Sequence, residues 1–369
     1  MKRKLIVIGT LILASLGLSQ CKDEPPASSS SVSYGTPFNL DVPAGFPSPN
    51  IPADNPMTLE AVSLGRHLFY EKSLSDDNSI SCASCHIQER AFTDATALSV
   101  GTRGLEGRRK AMPIFNLAFQ EFFFWDGRTS SLEEQSLHPI LDTLEMDNDL
   151  ATVIQRLAAD PLYPPLFEAA FGDPAITEER IAKSLAQFER TLISANSKFD
   201  RVIRLQTGEQ FTPLEQRGYE LFTSDFDPNG GFGGDCFHCH GERETQYLFG
   251  AFGRDLQFVN NGLKDVYADE GRADVTNDPA DIGKFKVPSV RNVEFSFPYM
   301  HDGSIPTLDS LIGFYNFGGH KHQNIDPNMK AAGIGRNWSA GQKQALAAFL
   351  RTLTDYEFLQ DTTFSNPFE

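Results

Sequence analysis

Five cysteines constrain this 369-residue chain more than any other feature. Four of them form two Cys-x-x-Cys pairs, each followed directly by histidine: Cys82-Ala83-Ser84-Cys85-His86 and Cys236-Phe237-His238-Cys239-His240. The fifth, Cys21, ends an N-terminal apolar run, so none is left for a structural disulfide. Cysteines at i and i+3 share one face of a helical turn, and both thiols can then add to the two vinyl groups of one porphyrin. Histidine at i+4 lies on the same face, where its imidazole reaches the iron as proximal ligand. The pattern predicts two covalent c-type haems, attached through Cys82 and Cys85 and through Cys236 and Cys239, with His86 and His240 as iron ligands. A structural zinc on the same four cysteines is the competing reading. It leaves both histidines unexplained.

The N-terminus reads as an export signal over 1–21. Lys2, Arg3 and Lys4 precede an apolar run from Leu5 to Leu18, which is short for a membrane span. Leu18-Ser19-Gln20-Cys21 resembles a bacterial lipoprotein site, with Cys21 lipidated and the protein periplasmic and membrane-tethered. Gln20 departs from the small residue usual before such a cysteine, and ordinary cleavage nearby is the alternative. Ser- and Pro-rich residues 22–55 read as a flexible tether. The formal charge is −17 and becomes more negative once the basic leader is removed. That balance excludes nucleic acid and anionic membrane surfaces as partners and favours a basic protein.

The rest of the chain reads as mostly α-helical. Ser131-x-x-Glu134, Thr212-Pro213-x-Glu215 and Ser339-x-x-Gln342 are helix-capping signatures. Ile181, Leu185, Phe188 and Leu192 form one apolar helical stripe, and Leu346, Phe349, Leu350 and Leu353 another. An internal repeat is also present. Gly65-x-x-Leu68-Phe69 precedes the first haem motif at nearly the same spacing as Gly218-x-x-Leu221-Phe222 precedes the second. The layout predicts two cytochrome c-like domains, 56–207 and 208–357, each with one haem, and a tail over 358–369.

From about Met57 to Asp355 the sequence resembles the bacterial di-haem cytochrome c peroxidase family, which includes the MauG proteins. Leu64-Gly65-Arg66, Ala91-Phe92-Thr93-Asp94, Phe124-Trp125-Asp126-Gly127-Arg128, Glu134-Gln135, Glu145-Met146, Phe285-Lys286-Val287-Pro288 and Pro298-Tyr299-Met300-His301-Asp302-Gly303 carry the match, in order with the haem motifs. The resemblance implies division of labour: the first haem reacts with peroxide, and the second stores or relays electrons. In typical family peroxidases a His about sixteen residues after the proximal His blocks the first iron. Here that position is Thr102, and no His occurs between His86 and His138. The resemblance therefore implies an open, five-coordinate first iron. His138, next to Pro139, reads as a packed side chain, with ligation the alternative.

The resemblance also implies site residues. Glu145 is the distal acid-base group, with Gln135 and Pro139 lining its pocket, although sequence alone would place Glu145 on a solvated acidic stretch. A carboxyl group in a partly apolar pocket has a raised pKa, which suits taking and returning a proton. Trp125 lies between the haems. The sixth ligand of the second iron is Tyr315, on a helix capped by Thr307, with Met300 the alternative. His301 contacts the haem edge or a propionate. Family members usually hold calcium between the domains, with an Asn side chain among its ligands. Lys110 falls at or next to that Asn, which puts calcium in doubt, since an ammonium repels a cation.

Three functions follow. One is reduction of hydrogen peroxide with electrons from a small c-type cytochrome or cupredoxin. A second is MauG-like oxidation, in which high-valent di-haem modifies Tyr or Trp of a partner protein. A third is a non-enzymatic two-haem carrier, which the open first iron and Glu145 disfavour. The family also implies a homodimer.

Overall fold

The computed structural model describes residues 34–227, 229, 232–241 and 258–369. The expected signal, Cys21 and the Ser-rich run up to residue 33 lie outside them. Among the described residues no helix is long and apolar enough to cross a membrane.

The described chain is helical, with one two-stranded antiparallel pairing of β1 (Phe258–Val259) on β2 (Phe285–Lys286). The first half contains α1 (Leu59–Tyr70), α2 (Cys82–Cys85), α3 (Leu132–Leu141), α4 (Leu150–Ala159), α5 (Tyr163–Phe171) and α6 (Glu178–Thr191). The second contains α7 (Pro213–Phe222), α8 (Phe237–His240), α9 (Ala273–Thr276), α10 (Leu308–Phe317) and α11 (Ala340–Arg351). A last helix, α12 (Tyr356–Gln360), follows.

The internal repeat has a physical cause. Gly65 lets α1 lie against α6 so closely that a Cβ there would sit 1.9 Å from the Ser184 carbonyl oxygen. Gly218 does the same for α7 on α11, at 1.9 Å from the Ala345 carbonyl oxygen. Each half is thus a pair of crossed helices that close over a haem motif, and only glycine permits the approach. The predicted stripes supply the cores. Ile181, Leu185, Phe188 and Leu192 are buried with Leu64, Leu68 and Phe69, and Leu346, Phe349, Leu350 and Leu353 with Leu221 and Phe222. Thr212 and Ser339 form complete capping boxes with Glu215 and Gln342. Ser131 caps α3 by accepting from the Glu134 amide, but the Glu134 side chain turns to Thr129 instead.

Three expected boundaries differ. The second core begins at Phe199, ahead of the boundary expected at 207/208. Asp200 next to it is fully buried and paired with Arg291 and Arg204. The predicted tether is ordered over its described part. Phe46 is buried against Phe119, and the Asn50 amide donates to the Ala118 carbonyl, because one apolar ring outweighs the polar composition around it. The predicted tail returns to the first half. Phe358 and Leu359 join the first core, while Arg66 and Gln88 donate to the Ser365 and Asp361 carbonyls.

Candidate functional site

Two cavities flank the junction of the halves. The first is lined by Cys85, His86, Gln135, His138, Pro139 and Glu145, with Arg109 and Arg128. His86 ends α2, and its amide donates to the Cys82 carbonyl at 2.9 Å. Its Nδ1 is 2.8 Å from the Phe92 carbonyl, which can only accept. Nδ1 therefore carries the proton and Nε2 presents its lone pair. Burial lowers the pKa of this imidazole and keeps it neutral, as a ligand must be.

Glu145 lies in the turn after α3, half-buried. Burial first, and then the neighbouring Asp142 carboxylate, push it up to about 7, with Arg128 opposing. The exposed acidic surface that composition alone suggests would not do this. Gln135 Oε1 is buried and accepts from nothing among the described residues, so one acceptor on this wall is free. Thr102, at the position of the family's blocking histidine, is tied to the Glu145 turn: its amide donates to the Glu145 carbonyl at 2.9 Å. Arg103 beside it pairs with Asp147. His138 packs its ring edge-on against Phe124 at 5.3 Å and lies 3.8 Å from Glu134.

The second cavity is lined by Cys236, Cys239, His240, Met300, His301 and Tyr315, with Asn261 and Arg336. His240 repeats the geometry of His86. Its amide donates to the Cys236 carbonyl at 2.9 Å and its Nδ1 is 3.0 Å from the Pro288 carbonyl. Burial lowers its pKa to about 4. Thr307 caps α10 as expected and so directs Tyr315 to the cavity, where burial pushes the phenol up to about 12. Met300 Sδ accepts from Asn261 at 3.4 Å. His301 stacks on Phe285, with ring centroids 3.7 Å apart, and burial holds it neutral, at about 4. Arg336 donates from Nε to the Tyr315 carbonyl at 3.1 Å. Its buried Nη1 has no hydrogen-bond acceptor among the described residues and lies 3.8 Å from its ion-pair partner, Asp235 Oδ2.

These features fit a haem in each cavity. All four motif cysteines are free thiols, both imidazoles have a fixed tautomer, and the Arg336 guanidinium at the second cavity keeps one nitrogen without a hydrogen-bond acceptor among the described residues, which suits a propionate. Lys110, Ala111, Pro113, Trp125 and Lys286 line both cavities and so form the wall between them. Trp125 is clamped there. Its indole N–H donates to the Lys110 carbonyl at 2.8 Å, and its own carbonyl accepts from the Lys286 amide at 2.7 Å. The Trp125 and His301 rings lie 6.5 Å apart.

Comparison with known proteins decides the family. A model of di-haem cytochrome c peroxidases matches residues 59–208. The methylamine utilization protein MauG of Methylorubrum extorquens is 35% identical over 82% of this chain and 80% of its own. The chain belongs to the di-haem cytochrome c peroxidase family. Cytochrome c551 peroxidase of Nitrosomonas europaea is another relative, 30% identical over 84% of this chain and 85% of its own. Among solved structures, a MauG-like protein associated with microbial copper homeostasis is 36% identical, with a TM-score of 0.77 over 90% of this chain and 100% of its own. The di-haem peroxidase BthA of Burkholderia thailandensis shares the fold at 22% identity, with a TM-score of 0.67 over 85% of this chain and 91% of its own. Family membership implies two c-type haems.

Sequence reasoning gave no site role to Lys286, Asn261, Arg128 or Arg336. Lys286 was visible as a lone charge in the apolar run Phe285–Pro288, a pattern that marks a buried cation. Arg128 stands in the Phe124-Trp125-Asp126-Gly127-Arg128 segment that carries the resemblance, whereas for Asn261 and Arg336 the sequence carries no signal, since their roles depend on which loops meet.

Proposed function

We propose that this protein is a di-haem peroxidase that reduces hydrogen peroxide at an open first haem. Electrons would come through the second haem from a small c-type cytochrome or cupredoxin. The observation that carries the reading is Glu145, a carboxyl near neutrality on the same cavity as His86, with no histidine at position 102. When bound, the haems supply the redox chemistry, and the proton work falls to the chain. Glu145 takes a proton from peroxide and returns it to the departing oxygen, while Gln135 Oε1 accepts from the bound peroxide. Cys82, Cys85, Cys236 and Cys239 would hold the haems through thioethers, with His86 and His240 as iron ligands. Tyr315 would be a further ligand at the second cavity and Trp125 the bridge between the cavities. Steady-state turnover tests this: each peroxide consumed should oxidise two molecules of reduced small cytochrome and yield water. Peroxide decay without cytochrome oxidation would reject it.

Tyr315 favours a second reading, oxidation of Tyr or Trp on a partner protein. A phenolate oxygen lowers the iron potential and makes the second haem a poor acceptor from mild donors. The similarity to MauG and MauG-like proteins supports the same reading. A covalent change in a co-purified basic partner on adding peroxide, without cytochrome turnover, would select it. Export and tethering through Cys21 complete the proposal, and loss of membrane association in Cys21→Ser is the test.

A further inference from the structure

The family resemblance implies calcium between the two halves, held by an Asn side chain and by backbone carbonyls near Ser296 and Pro298. The residues present do not fit it. Lys110, at or next to the Asn position, is 4% exposed, and its ammonium donates to Thr93 Oγ1 at 3.2 Å and to the Asp94 carbonyl. The Phe297 carbonyl is also taken by a cation. Arg90 Nη1 lies 3.4 Å from it, with the guanidinium 4.5 Å above the Phe297 ring. Three carboxylates around the neighbouring Arg109 are committed as well. Arg109 holds Asp126 at 2.5 Å, Asp269 at 2.7 Å and Asp274 at 3.3 Å. A divalent ion needs a shell of oxygen ligands and here would meet the Lys110 and Arg90 side chains instead.

We propose that the Lys110 ammonium, seconded by Arg90, is the built-in cation of this junction, so that the holoprotein holds no divalent ion there. The same residue sets the wall between the cavities. The Lys110 amide donates to the His301 carbonyl at 2.8 Å, and its carbonyl accepts the Trp125 indole N–H. Anchoring the ammonium to the first half at Thr93 and Asp94 thereby fixes Trp125 and the second-half loop bearing His301. Communication between the haems is then independent of metal. This rests on family membership but not on which oxidation the enzyme performs.

The intact holoprotein, dialysed against EDTA and separately against calcium, provides the test. Calcium measured by mass spectrometry should be far below one per chain after either treatment, with Tm and the EPR signals of both haems unchanged. Lys110→Met leaves two oxygen acceptors without their donor and should lower Tm by roughly 3–10 °C, and added calcium should not restore it. Calcium retained at one per chain, or haem signals that shift on chelation, would overturn the proposal. So would a Lys110→Met protein whose Tm and haem signals match the parent. If that variant does not fold, the metal content of the unaltered protein decides alone.

Discussion

Glu145→Gln should slow the protein and stabilise it at the same time. The carboxyl ordinarily titrates near 4.5 and is pushed to about 7 here, chiefly by burial. That difference is worth about 3 kcal/mol between its two protonation states. Because the folded pKa is raised, the group favours folding below its unfolded pKa, and this contribution is lost as pH rises through about 7. A neutral glutamine avoids the cost, so near pH 8 the variant should gain up to about 3 kcal/mol, read as a higher Tm of the haem-loaded protein. The peroxide reaction moves the other way. A general acid-base group contributes on the order of 10²- to 10⁴-fold, so stopped-flow mixing with peroxide should show a loss in that range. In the parent protein the rate should rise with pH and level off above about 7, as the carboxylate form becomes populated. The variant should lack that inflection, with its haem content unchanged. An unaltered rate, or the same inflection in both proteins, would refute the role. A slower variant with no gain in Tm would refute the burial argument while leaving the chemistry intact.

Three other outcomes are expected. The diferric protein should show one high-spin haem that binds cyanide without prior reduction, and two low-spin irons at rest would instead make His138 a ligand. Tyr315→Phe should abolish the low-spin signal of the second haem while Met300→Leu leaves it; the reverse result would assign the iron to Met300 and favour simple peroxidase turnover. Asp200→Asn should cost about 3–5 kcal/mol, because Arg291 is fully buried and loses its charged partner. Burial alone would raise Asp200, but Arg291, Ser197 and Arg204 hold it well below the usual carboxylate range. Its contribution is therefore present above about pH 4 and lost below it, which acid unfolding monitored at the second haem should show.

Local signals were legible in the sequence wherever chemistry demands contiguous residues. The haem motifs, the helix caps and the apolar stripes each lie within one element, and the repeated glycines mark a helix crossing that recurs in both halves. Thr307 marks the head of α10, and the stripe Leu308, Leu311, Ile312 puts Tyr315 on the apolar face. Long-range placement was not legible. Composition marked residues 22–55 as a tether, and 358–369 read as a tail beyond the second domain, yet Phe46 and Phe358 are buried, because a single ring can find a groove made elsewhere in the chain. The state of Glu145 likewise depends on Asp142, Arg128 and the cavity wall around it. Sequence by itself determined that there are two haem motifs, which histidines follow them, and that the same Gly-x-x-Leu-Phe helix precedes each. Tertiary structure alone decided that Lys110 and Lys286 clamp Trp125 in the wall between the cavities, because Trp125 and Lys286 lie far apart in the chain and meet only where two loops of different halves pack together.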